Sequence, residues 1–334
     1  MRAMSLLAPG PVESRPLAWI EKPAPEPASE EILVAVRVCG VCRTDLHLVE
    51  GDLAPRRAGI VPGHQVVGRV AACGSAARRF RTGDPVGVAW LRRACGVCRF
   101  CAGGRENLCL SPQFTGWDAD GGFAEVVAVP EAFAYPLPAA LDPVQTAPLL
   151  CAGIIGYRAY ARSAVRPGGR LGLYGFGGSA HIVIQIARHH GCEVFVVTRG
   201  GVHRELAERL GAAWVGEAGQ APPVRLDGAI LFAPAGELVP VALAALGRGG
   251  TLAVAGIHLS PIPPLDYQAH LFEERTLCSV TANTRADGEA LLALAAEIPI
   301  RTHTQRYPLE AANQALLDLK QDRVRGTAVL EIGS

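Results

Sequence analysis

The 334-residue chain lacks a charge excess, a long apolar run and a leader-like start, and each absence removes a class of function. Lys plus Arg number 32 and Asp plus Glu 31, for a net charge of +1. No broad basic field is therefore present to hold nucleic acid or anionic lipid. Apolar runs are short and broken by Gly and Pro, whereas a helix needs about 20 apolar residues to cross a bilayer. The opening MRAMSLLAPGPVESRP carries an arginine, but Pro9, Gly10 and Pro11 interrupt it before an apolar core forms, so it does not read as a secretory signal. The sequence predicts a soluble, cytoplasmic chain with neither membrane nor nucleic acid as partner. No internal repeat is visible, and the one biased segment, KPAPEPAS at 22–29, reads as a surface loop.

Against this background ten cysteines stand out. In a reducing compartment they favour metal binding or catalysis over crosslinks. Cys95, Cys98, Cys101 and Cys109 lie in RACGVCRFCAGGRENLC with the spacing C-x2-C-x2-C-x7-C. One compact loop can wrap four such thiolates tetrahedrally around Zn²⁺ at about 2.3 Å. Four Cys ligands leave no position for water or substrate, so the lobe at 93–110 predicts a structural site. An iron–sulfur cluster, which uses similar ligands, and a loop of free thiols are the alternatives.

Single cores stop growing at about 250–300 residues, so two domains are expected. ILVAVRV (32–38), VVGRVAA (66–72), PVGVAW (85–90) and FAEVVAV (123–129) are short strand-like runs separated by turn residues, and the first 150 or so residues read as mostly β. From about residue 152 strands and helices alternate: RLGLYGF, the helix SAHIVIQIARHH, EVFVVT, the helix VHRELAERL, GAILF, the helix LVPVALAAL and TLAVAG. Such alternation implies a doubly wound parallel sheet over 152–283. Near residue 284 the pattern changes to two helices, ADGEALLALAAEI and LEAANQALLDL, and a final strand, TAVLEI.

The first strand-to-helix turn of the alternating region holds Gly175, Gly177, Gly178 and, at the third glycine position, Ala180. There the glycines let backbone N–H groups approach a pyrophosphate at the positive end of a helix. CGVCRTDLH (39–47), PGHQVVG (62–68) and PLLCAG (148–153) each add a ligand-type residue, so Cys42, His64 and Cys151 can form a three-ligand set with one open position, as in a catalytic zinc site. Taken singly, each of these is more often a buried small hydrophobe or a hydrogen-bonded core histidine.

In their order along the chain, CGVCRTDLH, PGHQVVG, the four-Cys loop, PLLCAG and GFGGSAH resemble the zinc-dependent medium-chain dehydrogenases, specifically the bacterial alcohol dehydrogenases. The resemblance implies an α/β protein with a GroES-like β-rich catalytic domain over 1–151, completed by 284–334, and a Rossmann cofactor domain over 152–283. It also implies a homodimer or homotetramer. Carried over by position, Cys42, His64 and Cys151 are the catalytic zinc ligands and Cys39 a neighbour that is not a ligand. Thr44 touches the alcohol oxygen, His47 passes its proton to solvent, and Asp45 orients the ligand histidine. Cys95, Cys98, Cys101 and Cys109 hold the second, structural zinc. Trp90, Phe114 and Trp117 lie where relatives build the substrate pocket, which suits a primary or aromatic alcohol or its aldehyde.

Two positions depart from the family pattern. Gln65 stands where a glutamate usually follows the ligand histidine, and Gly326-Thr327 stands where many relatives have Gly-Arg. The cofactor expectation rests on the end of EVFVVTRGGVHRE, where NAD-specific folds carry an acidic residue for the ribose 2′-hydroxyl. Thr198 and Arg199 occupy that point, with His203 and Arg204 close behind and no carboxylate before Glu205. The reading is an oxidoreductase that prefers NADP(H) and takes NAD(H) second. Its alternatives are a non-catalytic NADP(H)-binding or sensing homologue and a zinc-ribbon nucleic-acid module built on Arg92, Arg93, Arg99 and Arg105, which the charge balance disfavours.

Overall fold

The computed structural model describes residues 1–333. They form two compact units: Met1–Cys151 with Ala282–Glu297 and residues 301–333, and Ala152–Thr281 with Ile298–Ile300.

In the first unit a seven-stranded sheet runs in the order Thr304–Pro308, Thr327–Glu331, Glu31–Val41, Gln65–Cys73, Pro85–Val88 and Ala134–Pro136, and Val126–Pro130 also pairs with Glu31–Val41. The last part of the chain thus supplies two strands beside the first long one. Residues 31–36 alternate in burial with the two-residue period of a strand that has one face on the core, whereas Val38–Val41 are buried continuously. Ile32, Val34, Val66, Val86, Phe123 and Leu330 lie in that core.

The second unit holds a six-stranded parallel sheet in the order Trp214–Gly216, Glu193–Val197, Arg170–Tyr174, Leu226–Leu231, Leu246–Val254 and Thr276–Ser279. Numbered along the chain, this is the 3-2-1-4-5-6 order of a Rossmann sheet, which binds ligands where the strand order reverses, outside the carboxyl ends of the strands. Arg170–Tyr174 lies at that reversal and leads into the Gly175 turn and the helix Ala180–His189. The helices Gly201–Arg209 and Leu238–Ala245 continue the alternation.

Some elements differ from the sequence pattern. The 123–129 run pairs as a strand only from Val126, because the backbone N–H groups of Gly122 and Phe123 are bonded to the carbonyls of Gly63 and Pro62. The helix expected from Leu309 opens as a tight turn, Leu309–Ala311, behind Pro308 and becomes α-helical at Ala312–Lys320. The helix Arg43–Glu50 and the strand Thr276–Ser279 were not expected. Among the described residues no helix is long and apolar enough to cross a membrane.

Candidate active site

CGVCRTDLH leaves the sheet at Val41 and turns into the helix Arg43–Glu50, with Cys42 as its N-cap. The Cys42 Sγ accepts the Thr44 N–H at 3.3 Å, and Asp45 Oδ2 accepts the Cys42 N–H at 2.9 Å. This is a capping box in which a thiol replaces the usual hydroxyl, and the positive helix terminus favours that sulfur as thiolate. Asp45 Oδ1 accepts the Gly63 N–H at 3.1 Å and lies 3.2 Å from His64 Nδ1. One buried carboxylate therefore orients both the cysteine turn and the histidine. Gly63 has φ +99°, and a Cβ there would lie 2.4 Å from the Phe123 ring, so PGH needs its glycine.

His64 Nε2 points at Cys42 Sγ at 3.3 Å, and Cys151, just past the turn Ala147–Leu150, completes a group whose ligand atoms all lie within 4.8 Å of one another. The hydrogen bond from Cys151 and the charge on His64 hold the Cys42 thiol well below its ordinary range against the effect of burial. Cys151 is raised by the same hydrogen bond and by burial. Burial pushes the His64 ring toward neutrality, but Asp45 and Cys42 outweigh it and raise the ring well above the usual histidine value. Burial also raises the Asp45 carboxyl, with His64 opposing.

In the second cluster Cys98 and Cys101 are 3.5 Å apart and Cys95 and Cys101 3.9 Å apart, sulfur to sulfur. Backbone N–H groups of Cys95 and Ser111 point at the Cys109 sulfur, and that of Cys98 at Cys95. N–H groups of Cys101 and Leu110 draw the Cys98 thiol down to about 6. Tetrahedral zinc with ligands at about 2.0–2.3 Å sets its donor atoms about 3.3–3.8 Å apart, so the spacings of 3.3 Å in the first cluster and 3.5 and 3.9 Å in the second suit the ion. Cys39 has its sulfur buried against Gly63 and Gly122 and belongs to neither group.

Thr44 and His47 lie three residues apart, on neighbouring turns of one helix face. His47 Nδ1 is 2.9 Å from Asp52 Oδ2. Sequence reasoning missed Asp52, because the left-handed Gly51 at φ +91° reverses the chain and a plain motif carries no sign of that return. Trp90 stands 6.4 Å from the His64 ring and stacks on Phe114 at 4.1 Å, and Trp117 stacks on Phe114 at 5.7 Å. The Arg56 guanidinium lies 3.8 Å over Trp117 and pairs with Asp118. Gln65 is fully buried, with neither amide atom partnered among the described residues. Its neutral amide avoids the larger cost of an isolated buried carboxylate.

The cofactor-type residues all lie in the second unit. Gly175 has φ +91°, and a Cβ there would meet the Ala233 nitrogen at 2.8 Å. A Cβ on Gly177 would meet nothing within 4 Å, which leaves the turn open for a phosphate to approach its backbone. Gly178 follows in the same turn, and Ala180 is fully buried where the helix begins. Thr198 is buried, and Arg199 is exposed without a hydrogen-bond or ion-pair partner among the described residues. Arg204 pairs with Glu217 at 2.9 Å. Of the departing pair, Thr327 is buried in the first unit's sheet, opposite Thr304.

A β-rich unit with two thiol-bearing clusters and a parallel sheet with a dinucleotide-type turn are the parts of a dehydrogenase fold. Residues 28–139 match the alcohol dehydrogenase GroES-like domain and residues 178–297 the zinc-binding dehydrogenase domain. The chain belongs to the zinc-dependent medium-chain dehydrogenase family. It is 55% identical to the probable alcohol dehydrogenase AdhA of Mycobacterium tuberculosis (strain CDC 1551 / Oshkosh), over 99% of this chain and 97% of that one. An alcohol dehydrogenase of Geobacillus stearothermophilus is 33% identical over 94% of each chain. Among solved structures, a cinnamyl alcohol dehydrogenase of Sorghum bicolor superposes with a TM-score of 0.89 at 28% identity, covering 99% of this chain and 97% of that one.

Proposed function

We propose that the protein is an alcohol dehydrogenase and aldehyde reductase that moves hydride between a primary or aromatic alcohol and NADP(H), with NAD(H) the poorer cofactor and two zinc ions per chain. The observation that carries this reading is the convergence of Cys42, His64 and Cys151 on one point, with a three-ring aromatic stack starting beside His64. Zinc bound there supplies Lewis acidity to an alcohol or carbonyl oxygen, and a nicotinamide carries the hydride.

The chain's own groups do the rest. The Thr44 hydroxyl relays the substrate proton to His47, whose ring Asp52 orients. Asp45 fixes His64 and so tunes its basicity as a ligand. Trp90, Phe114 and Trp117 exclude water and accept an apolar or aromatic substituent. Cys95, Cys98, Cys101 and Cys109 hold the second zinc. Gly175, Gly177, Gly178 and Ala180 seat the pyrophosphate, while Thr198, Arg199 and Arg204 face the 2′-phosphate. One charge-assisted contact is worth about 1.5–3 kcal/mol, or roughly ten- to a hundredfold in affinity. The names of the bacterial relatives support the alcohol dehydrogenase activity, and that of the Sorghum structure supports an aromatic alcohol.

A homodimer or homotetramer is supported by the open outer edge of Thr276–Ser279, which ends the parallel sheet close in sequence to the exposed Ile257, Ile262, Tyr267 and Phe272. Ten cysteines, none disulfide-bonded, suit a reducing cytoplasm. The test is zinc content by atomic emission, together with NADPH oxidation on a panel of acetaldehyde, benzaldehyde and cinnamaldehyde. Two zincs per chain and turnover of an aromatic aldehyde are expected. NADPH binding without turnover of any aldehyde would point instead to a sensing homologue.

A further inference from the structure

We propose that Glu217 restrains the protein's own grip on the NADP(H) 2′-phosphate, both by holding Arg204 and by placing a like charge beside the phosphate position. The inference rests on the NADP(H) reading above. In sequence the segment after Val197 shows no carboxylate before Glu205, but strand pairing brings one in from further along. Trp214–Gly216 runs parallel to Glu193–Val197 with Val197 opposite Gly216, and the Thr198 N–H donates to the Gly216 carbonyl at 3.0 Å. Glu217 therefore follows directly on the residue bonded to Thr198, at the carboxyl end of the sheet where a dinucleotide binds.

Its carboxylate is engaged by Arg204, from the first turn of the helix Gly201–Arg209, at 2.9 Å, and its own N–H donates to Gln220 Oε1 at 2.9 Å. Gly200 has φ +78°, and a Cβ on Gly200 or Gly201 would meet nothing within 4 Å, so the helix start is open. Arg199 is exposed beside that opening with no partner among the described residues. The two side chains of the Arg204–Glu217 pair are 41% and 58% exposed, and a pair so exposed adds little stability. A phosphate dianion is the stronger partner for a guanidinium, so the pair opens when one binds. The carboxylate then remains close to the phosphate and opposes it.

Calorimetric titration of the intact protein with 2′,5′-ADP and with 5′-AMP tests this without any turnover. Glu217→Gln should tighten 2′,5′-ADP roughly three- to tenfold and leave 5′-AMP within about twofold. Arg204→Ala, which strips Glu217 of its counter-charge, should weaken 2′,5′-ADP, and the double variant should recover most of that loss. An unchanged or weakened 2′,5′-ADP affinity in Glu217→Gln overturns the proposal. Arg199→Ala judges the NADP(H) reading separately: if it leaves the preference for 2′,5′-ADP intact, that reading fails, while the Glu217 variant still decides the proposal.

Discussion

Asp52 shows how much of a site can hang on a residue that no motif contains. It reaches His47 Nδ1 only because Gly51 takes a left-handed conformation and Leu53 N–H returns to the His47 carbonyl at 3.0 Å. If His47 moves protons rather than binding metal, His47→Gln should lower kcat at neutral pH by up to about 10²-fold, keep both zincs, and recover partly as pH rises and solvent base substitutes. Asp52→Asn should give a smaller loss with KM little changed, since the imidazole stays but its orientation loosens. A kcat–pH profile with zinc analysis checks both, and zinc loss in His47→Gln would refute the role. The resemblance carried by CRTDLH put forward Thr44, Asp45 and His47 as candidates; the approach of Asp52 to His47 needed the turn.

At the scale of elements the two thiol clusters differ in how they are built. The lobe closes four sulfurs within one short segment, whereas Cys42, His64 and Cys151 come from a helix cap, the start of a strand and the end of a tight turn. Removing a ligand from the lobe should therefore cost folding free energy directly, because the segment has only two short helical turns and few buried apolar side chains to hold it otherwise. Cys101→Ser should lower the melting temperature and favour aggregation. Cys151→Ser should abolish turnover, by at least about 10²-fold, and leave melting nearly unchanged, since Leu149 and Leu150 stay packed in the core. Thermal melts, zinc content and kcat for both variants separate the two, and equal stability would refute the distinction. The clustering of the lobe's four thiols was legible from their spacing, because the residues of a local loop are their own neighbours.

For the whole molecule the parallel sheet ends in two outer strands among the described residues, Trp214–Gly216 and Thr276–Ser279, and the second lies close in sequence to the exposed Tyr267 and Phe272. Such an edge is a template for pairing with an identical copy about a two-fold axis. Sedimentation equilibrium should give at least twice the chain mass. Tyr267→Asp with Phe272→Asp should shift the protein toward monomer and keep both zincs. An assembly that survives those changes, or a wild-type monomer, would remove this edge as the interface. The sequence alone did not reveal the edge, because a four-residue strand carries too few alternations to register as a period.

Local order determined what could be read without a structure: strand and helix periods, the glycine turn and the closed cysteine lobe each need only neighbours along the chain. The family's build follows from those parts in sequence. Tertiary structure decided what depends on distance through space. It joined Cys42, His64 and Cys151 across more than a hundred positions, folded Asp52 back onto His47, and used parallel strand pairing to set Glu217 beside Thr198 and Arg204. The physical reason is that a side chain's partners are set by sheet register and turn conformation, and neither is encoded at the position where the side chain stands.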